Sequence, residues 1–265
     1  MFHPSLTLPA RSTHSGKTIM NGIWTDIEVA GKRVEIYEPP ANPLPRFGVI
    51  YLHPLGLETL RDRPAFTKFL DAYKLVCVCP HAKRSWWVDR VCPEFDAKLT
   101  AEQHVLKNVM PIFAERWRLP PRSVGVFGIS MGGQGAVRLA FRYPKLFPVV
   151  AGIASAFDFQ ELHGLSETLD EMYDSKEQCR QDTAVLHIHP ADYPPHLFYC
   201  IDPDDDPWYR GNDRLHEKLT ALGVPHTIDL TTRAGGHSWA YFDRMAEPTL
   251  RFIHEGLQKE SRRLL

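Results

Sequence analysis

The chain carries five short, nearly uninterrupted apolar runs, Phe47–Leu52, Leu75–Cys79, Val124–Phe127, Val149–Ile153 and Leu197–Ile201, and these leave few ways to fold. A strand with one face in water alternates apolar with polar residues. One that is apolar along its whole length must be covered on both faces, as strands inside a parallel sheet are. Parallel neighbours need crossover connections, and stretches of helical period separate the runs. Residues 100–117 open with a Thr-x-x-Gln capping pattern and place Val105, Val109, Ile112 and Phe113 on one face, with a kink or split expected at Pro111. Residues 130–143, 213–222 and 239–257 read as further helices, the last interrupted near Pro248.

The ends of this pattern differ from its middle. Trp24–Val29 and Arg33–Tyr37 alternate over a Gly31 turn and read as an opening hairpin, and His226–Leu230 is mixed enough to lie near a sheet edge. Strands alternating with helices after a hairpin predict one α/β domain over residues 1–265 with a mostly parallel central sheet. Residues 158–195 hold no convincing strand and are expected to form a lid or a helical insertion.

Composition removes several functions. With 31 Lys+Arg against 32 Asp+Glu the formal charge is −1, so the broad positive field that draws nucleic acid is missing. No stretch approaches the ~18 to 20 apolar residues of a membrane-spanning helix, and Met1–Asn21 lacks the apolar core of a secretory signal. The five cysteines form no CxxC pair, and this usage suits reduced thiols in a cytoplasm.

The sharpest chemical signal is Gly128-Ile129-Ser130-Met131-Gly132, set directly between an apolar strand and a helix. Such a turn lifts a serine hydroxyl out of the sheet, and it aims backbone N–H groups at the helix N-terminus where an oxyanion would form. Met131 is one expected donor. The loop Leu52-His53-Pro54-Leu55-Gly56 supplies the other through Leu55, because proline has no amide hydrogen. A serine needs a base, and Gly235-Gly236-His237 places an imidazole between the last strand and the closing helix. The orienting acid is expected in Asp202-Pro-Asp-Asp-Asp-Pro-Trp208, after the preceding strand: Asp205 first, then Asp206, then Asp202.

Other constellations read more plainly. His187-x-His189 beside Asp192 suits surface or core histidines better than a metal site, and Cys77-x-Cys79 suits a buried strand. Trp86 and Trp87 follow the fourth strand at the edge where open sheets keep their ligand crevices. They are candidates to wall a substrate site, with core packing the equal alternative. Trp208 and Trp239 are expected to pack and steady the loops.

Taken together, Gly128-Ile-Ser-Met-Gly-Gly-Gln-Gly-Ala136, the Asp202–Trp208 turn and Gly235-Gly-His-Ser-Trp239 resemble the α/β-hydrolase-fold esterases that include esterase D and the S-formylglutathione hydrolases. The resemblance runs from about Gly48 to Phe252. It implies a sheet of about eight strands, a Ser130–Asp205–His237 relay, an oxyanion hole of the Leu55 and Met131 amides, and no cofactor. In this chain His53-Pro-Leu-Gly56 stands where the formylglutathione hydrolases carry a Gly-rich loop. The expected function is hydrolysis of small-molecule carboxylic esters through an acyl-enzyme. Thioester hydrolysis or acyl transfer is the nearest alternative, and a non-catalytic ligand-binding protein is the alternative of another class.

Overall fold

The computed structural model describes residues 22–40 and 45–263; the expectation for Met1–Asn21 lies outside them. Strand β1 (Ile23–Val29) turns through Ala30 and Gly31, both at positive φ, into β2 (Lys32–Glu38), which pairs with it antiparallel. Two consecutive left-handed residues match the twist of a two-residue hairpin. The apolar runs then become β3 (Phe47–Leu52), β4 (Leu75–Pro80), β5 (Val124–Ile129), β6 (Val149–Ile153) and β7 (His196–Cys200), with β8 (Thr227–Asp229) at the edge. They assemble in the order β1-β2-β4-β3-β5-β6-β7-β8, antiparallel from β1 to β4 and parallel from there on.

Every residue of β3, β4, β5 and β6 is buried, as their composition requires. Alternate side chains feed two cores. Val49, Tyr51 and Phe127 face α1 (Pro64–Tyr73) and the closing helices, whereas Ile50, Leu52 and Val126 face the opposite layer. Helix α1 has no counterpart in the sequence reading. Its stretch is short, and only Phe66 and Leu70 are fully buried, which gives a weak periodic signal.

Proline decides where the longer helices break. In 101–117, α2 (Ala101–His104) passes through a π-helical turn, Val105–Val109, into α3 (Met110–Trp117). The wide turn precedes Pro111, which thereby sits in a first helical turn, where its missing N–H costs no hydrogen bond. Thr100 caps the start, accepting from the Gln103 N–H at 3.1 Å. Helix α4 (Met131–Arg142) follows β5, α5 (Glu167–Met172) and α6 (Lys176–Gln181) lie within 158–195, and α7 (Tyr209–Ala221) begins four residues ahead of the expected Asp213. The closing segment divides at Met245 into α8 (Trp239–Arg244) and α9 (Ala246–Arg262), with Pro248 again in a first turn.

Residues 158–195 form short helices bound to α4 by a buried ion cluster. Arg138, fully buried, pairs with Glu102 and also donates to the Asp182 carbonyl and carboxylate, both at 2.7 Å. Glu102 is satisfied further by Arg142 at 3.1 Å and by the Tyr143 hydroxyl at 2.8 Å. Removing one member strands a charge without water. Arg138→Met is therefore expected to lower the unfolding free energy by about 3 to 5 kcal/mol in urea denaturation, and a loss below about 1 kcal/mol would contradict this role.

Candidate active site

At the carboxyl end of β5 the chain reverses through Ser130, whose φ of 55° and ψ of −115° lie outside the regions serine normally occupies. The reversal is held on both sides. The Ser130 N–H donates to Ile153 O at 2.9 Å, and its carbonyl accepts from Gln134 and Ala156, each at 3.1 Å. Glycine is required at its flanks for space: a Cβ on Gly128 would lie 2.2 Å from the Gly132 backbone, and one on Gly132 would lie 1.9 Å from Leu52 O. The start of α4 therefore rests against the end of β3, and the loop that carries Leu55 leaves β3 at that contact.

Ser130 Oγ lies 2.9 Å from His237 Nε2, and His237 Nδ1 lies 2.6 Å from Asp205 Oδ2. Three segments far apart in sequence thus meet in one continuous line of hydrogen bonds. Asp205 is 1% exposed, whereas Asp206 points into solvent. Asp202 is wholly buried and serves differently. Its carboxylate accepts from the Asp204 N–H at 2.8 Å, the Ala234 N–H at 2.6 Å and the Gly236 N–H at 2.9 Å, tying the acid-bearing turn to the loop that carries His237. Burial pushes its pKa up, but the three backbone donors outweigh this and hold it below the ordinary carboxylate value.

The loop after β3 is fixed by a histidine whose role sequence reasoning missed. His53 is buried; its Nδ1–H donates to Pro54 O at 2.9 Å, and its Nε2 accepts from the Ala82 N–H at 3.1 Å. Burial lowers its pKa to about 4, so the ring is neutral, as that hydrogen-bond pattern demands. Leu55 lies half-buried in the same loop, and its N–H has no hydrogen-bond partner among the described residues. Leu55 borders the space beside Ser130, and Met131 follows Ser130 as the first residue of α4.

That space is a cavity of about 390 Å³ walled by Leu55, Trp86, Trp208, Trp239 and Phe242 beside Ser130 and His237. Trp86 and Trp87 part company here. Both have positive φ, near 55° and 58°, which sends the two rings in different directions. Trp86 reaches the cavity wall and stacks on Phe159 at 4.7 Å. Trp87 does not border the cavity, a correction to its expected place in a substrate wall. Its ring packs on Gly135 and edge-on against His53 at 4.9 Å, and its Nε1 donates to His53 O at 3.2 Å. Trp208 and Trp239 border the cavity as well, Trp208 beside the His237 ring at 6.5 Å and Trp239 edge-on to Phe242 at 5.4 Å.

The paired histidines do not converge. His187 is half-buried, with its pKa lowered to about 4 by burial, while exposed His189 accepts from the Ala191 N–H at 3.2 Å. Among the described residues no group of three or more His, Cys, Asp or Glu side chains is placed to hold a metal ion. Nor is any described helix long and apolar enough to cross a membrane.

The family model described as "Putative esterase" matches residues 32–251. The chain belongs to this esterase family. The enzyme has the α/β-hydrolase fold and is a hydrolase of carboxylic esters. Its structure is similar to an S-formylglutathione hydrolase from Agrobacterium tumefaciens at 18% identity, with a TM-score of 0.73 over 89% of this chain and 94% of that one. It is similar also to the fluorophosphonate-binding serine hydrolase FphF of Staphylococcus aureus, at 17% identity and a TM-score of 0.74 over 89% and 99% of the two chains. A ferulic acid esterase matches at 16% identity and a TM-score of 0.72 over 89% and 98%. At these identities the structural likeness speaks for the fold. No curated protein sequence matches this chain.

Two outcomes follow for the enzyme's supporting groups. Asp202→Asn removes the charge that gathers the backbone donors and is expected to lower kcat for p-nitrophenyl acetate by about 10²-fold with KM little changed, since small misplacements of a base cost that much. His53 gives a pH dependence. Its folded-state pKa lies below the ordinary histidine value, so the unfolded chain takes up the proton first as pH falls. Its contribution to stability is complete above about pH 6.5 and declines toward pH 4 by about 1.4 kcal/mol per pH unit, so urea denaturation of His53→Gln should show a pH slope shallower than the native slope by that amount.

Proposed function

We propose that Ser130, His237 and Asp205 act as nucleophile, base and orienting acid in ester hydrolysis through an acyl-enzyme. The unbroken contact from Asp205 Oδ2 through the imidazole to Ser130 Oγ, 2.6 and 2.9 Å, carries this reading. Ser130 Oγ attacks the acyl carbonyl carbon as His237 Nε2 takes its proton. Asp205 fixes the Nδ1–H tautomer and stabilises the imidazolium. The carbonyl oxygen becomes an oxyanion and receives the Met131 and Leu55 N–H groups. Collapse expels the alcohol, protonated by His237. Water then attacks the acyl-enzyme, giving its proton to the same nitrogen, and the carboxylic acid leaves as Ser130 recovers its hydrogen.

The substrates are small-molecule esters with a small or medium acyl group, which suits a cavity of about 390 Å³ with Trp86 on its wall. Residues 158–195 serve as a helical insertion within one domain, backing that wall through the stack of Phe159 on Trp86. The five cysteines are all buried free thiols, which supports a reducing compartment, the cytoplasm. Thioester hydrolysis of the formylglutathione type is the second reading, favoured by the likeness to the Agrobacterium enzyme.

Labelling with a fluorophosphonate probe tests the mechanism. The native enzyme is expected to label at Ser130, with labelling lost in Ser130→Ala and suppressed in His237→Ala. Asp205→Asn should retain the fold and lose about 10⁴-fold in kcat. Absence of labelling in the folded native chain would remove the nucleophile assignment. A strong preference for an acyl-glutathione thioester over p-nitrophenyl acetate would replace the ester reading with the second.

A further inference from the structure

Among the described residues, and apart from the His237 base, the cavity beside Ser130 has a single ionisable side chain on its wall, the carboxylate of Glu58. It is exposed, it folds over Gly56 into the space a Cβ would fill, and it has no ion-pair or hydrogen-bond partner among the described residues. Gly56 adjoins Leu55, so this negative charge stands beside the place where the reaction creates another. For a neutral substrate such a neighbour is unfavourable, because like charges repel across a partly dehydrated pocket. The remaining large groups of the wall are aromatic: Trp86, Trp208, Trp239 and Phe242. Indole faces attract cations, and the Trp239 ring already holds one, with the Arg63 guanidinium 3.4 Å from its centroid. Arg63 does not itself border the cavity.

We infer that the enzyme prefers esters whose alcohol or acyl part carries an alkylammonium group, seated between Glu58 and the tryptophan rings of the cavity. The inference rests on Ser130 being the nucleophile. A cation there offsets the carboxylate and turns its field from a penalty on the oxyanion into an attraction for the substrate. Screening by salt must weaken the preference, since Glu58 is exposed.

Acetylthiocholine and its uncharged carbon isostere, S-(3,3-dimethylbutyl) thioacetate, have nearly the same shape and release a thiol that can be followed directly. The native enzyme is expected to favour the cation by about tenfold in kcat/KM, mainly through KM, with the ratio shrinking as salt rises. In Glu58→Gln the two substrates should move in opposite senses: kcat/KM falls for the cation and rises for the isostere. A loss of folding would lower both together and cannot imitate this crossing. Equal kcat/KM for the pair, or an unchanged ratio in Glu58→Gln, would overturn the inference. So would a Glu58-dependent preference for glycerol monoacetate, which would assign the site to hydroxyl-bearing alcohols. If p-nitrophenyl acetate is turned over through Ser130 while neither thioacetate reacts, the inference falls and the nucleophile assignment stands. If p-nitrophenyl acetate is also inert, both fall.

Discussion

The contact on which the rest depends is one of bare backbone, the Gly132 Cα against the carbonyl that ends β3. A side chain at that point would drive the start of α4 away from Leu52 and separate the serine from the loop that follows β3. Ser130 and the loop after β3 are neighbours because two main chains approach more closely than any residue with a Cβ permits. The strained conformation of Ser130 is sustained by this contact and by the hydrogen bonds to Ile153, Gln134 and Ala156.

Around this fixed point the loops at the sheet's carboxyl edge are held by buried polar groups whose hydrogen bonds are supplied locally. Asp202 gathers donors from two loops, and His53 spans from its own loop to Ala82 beyond β4. Each group would be costly to bury alone and is inexpensive when satisfied. Their benefit is directional, because the His237 imidazole has to point at the Ser130 hydroxyl. The aromatic residues complete the arrangement: Trp87 closes the space beneath the His53 loop, and Trp86 is left to face the cavity.

Much of this was legible in the amino-acid sequence, for reasons that vary by element. The covered strands announced themselves because their burial is two-sided and leaves no polar positions. Ser130, His237 and the aspartate-rich turn stood out because tight turns need Gly and Pro in recognisable order around them, with Asp205 the first choice among its acids. Trp87 could not be separated from Trp86, since adjacent residues differ only by a backbone rotation that no composition encodes. The clamp made by Asp202 was hidden for a similar reason: four aspartates of one turn are chemically identical until their depth is known. The expected break at Pro111 appeared as a widened turn ahead of it, because a continuous helix could keep its packing that way. Helix α1 buries only two side chains fully, too few to imprint a period.

The buried guanidinium of Arg138 has one more consequence. It joins the helix that follows Ser130 to Asp182 in the excursion between β6 and β7. Swinging that excursion outward would strip Arg138 of its Asp182 partners and leave Glu102 as its counter-charge. The excursion is thus moored from beneath to the helix that follows Ser130, and any outward movement has to break those hydrogen bonds first.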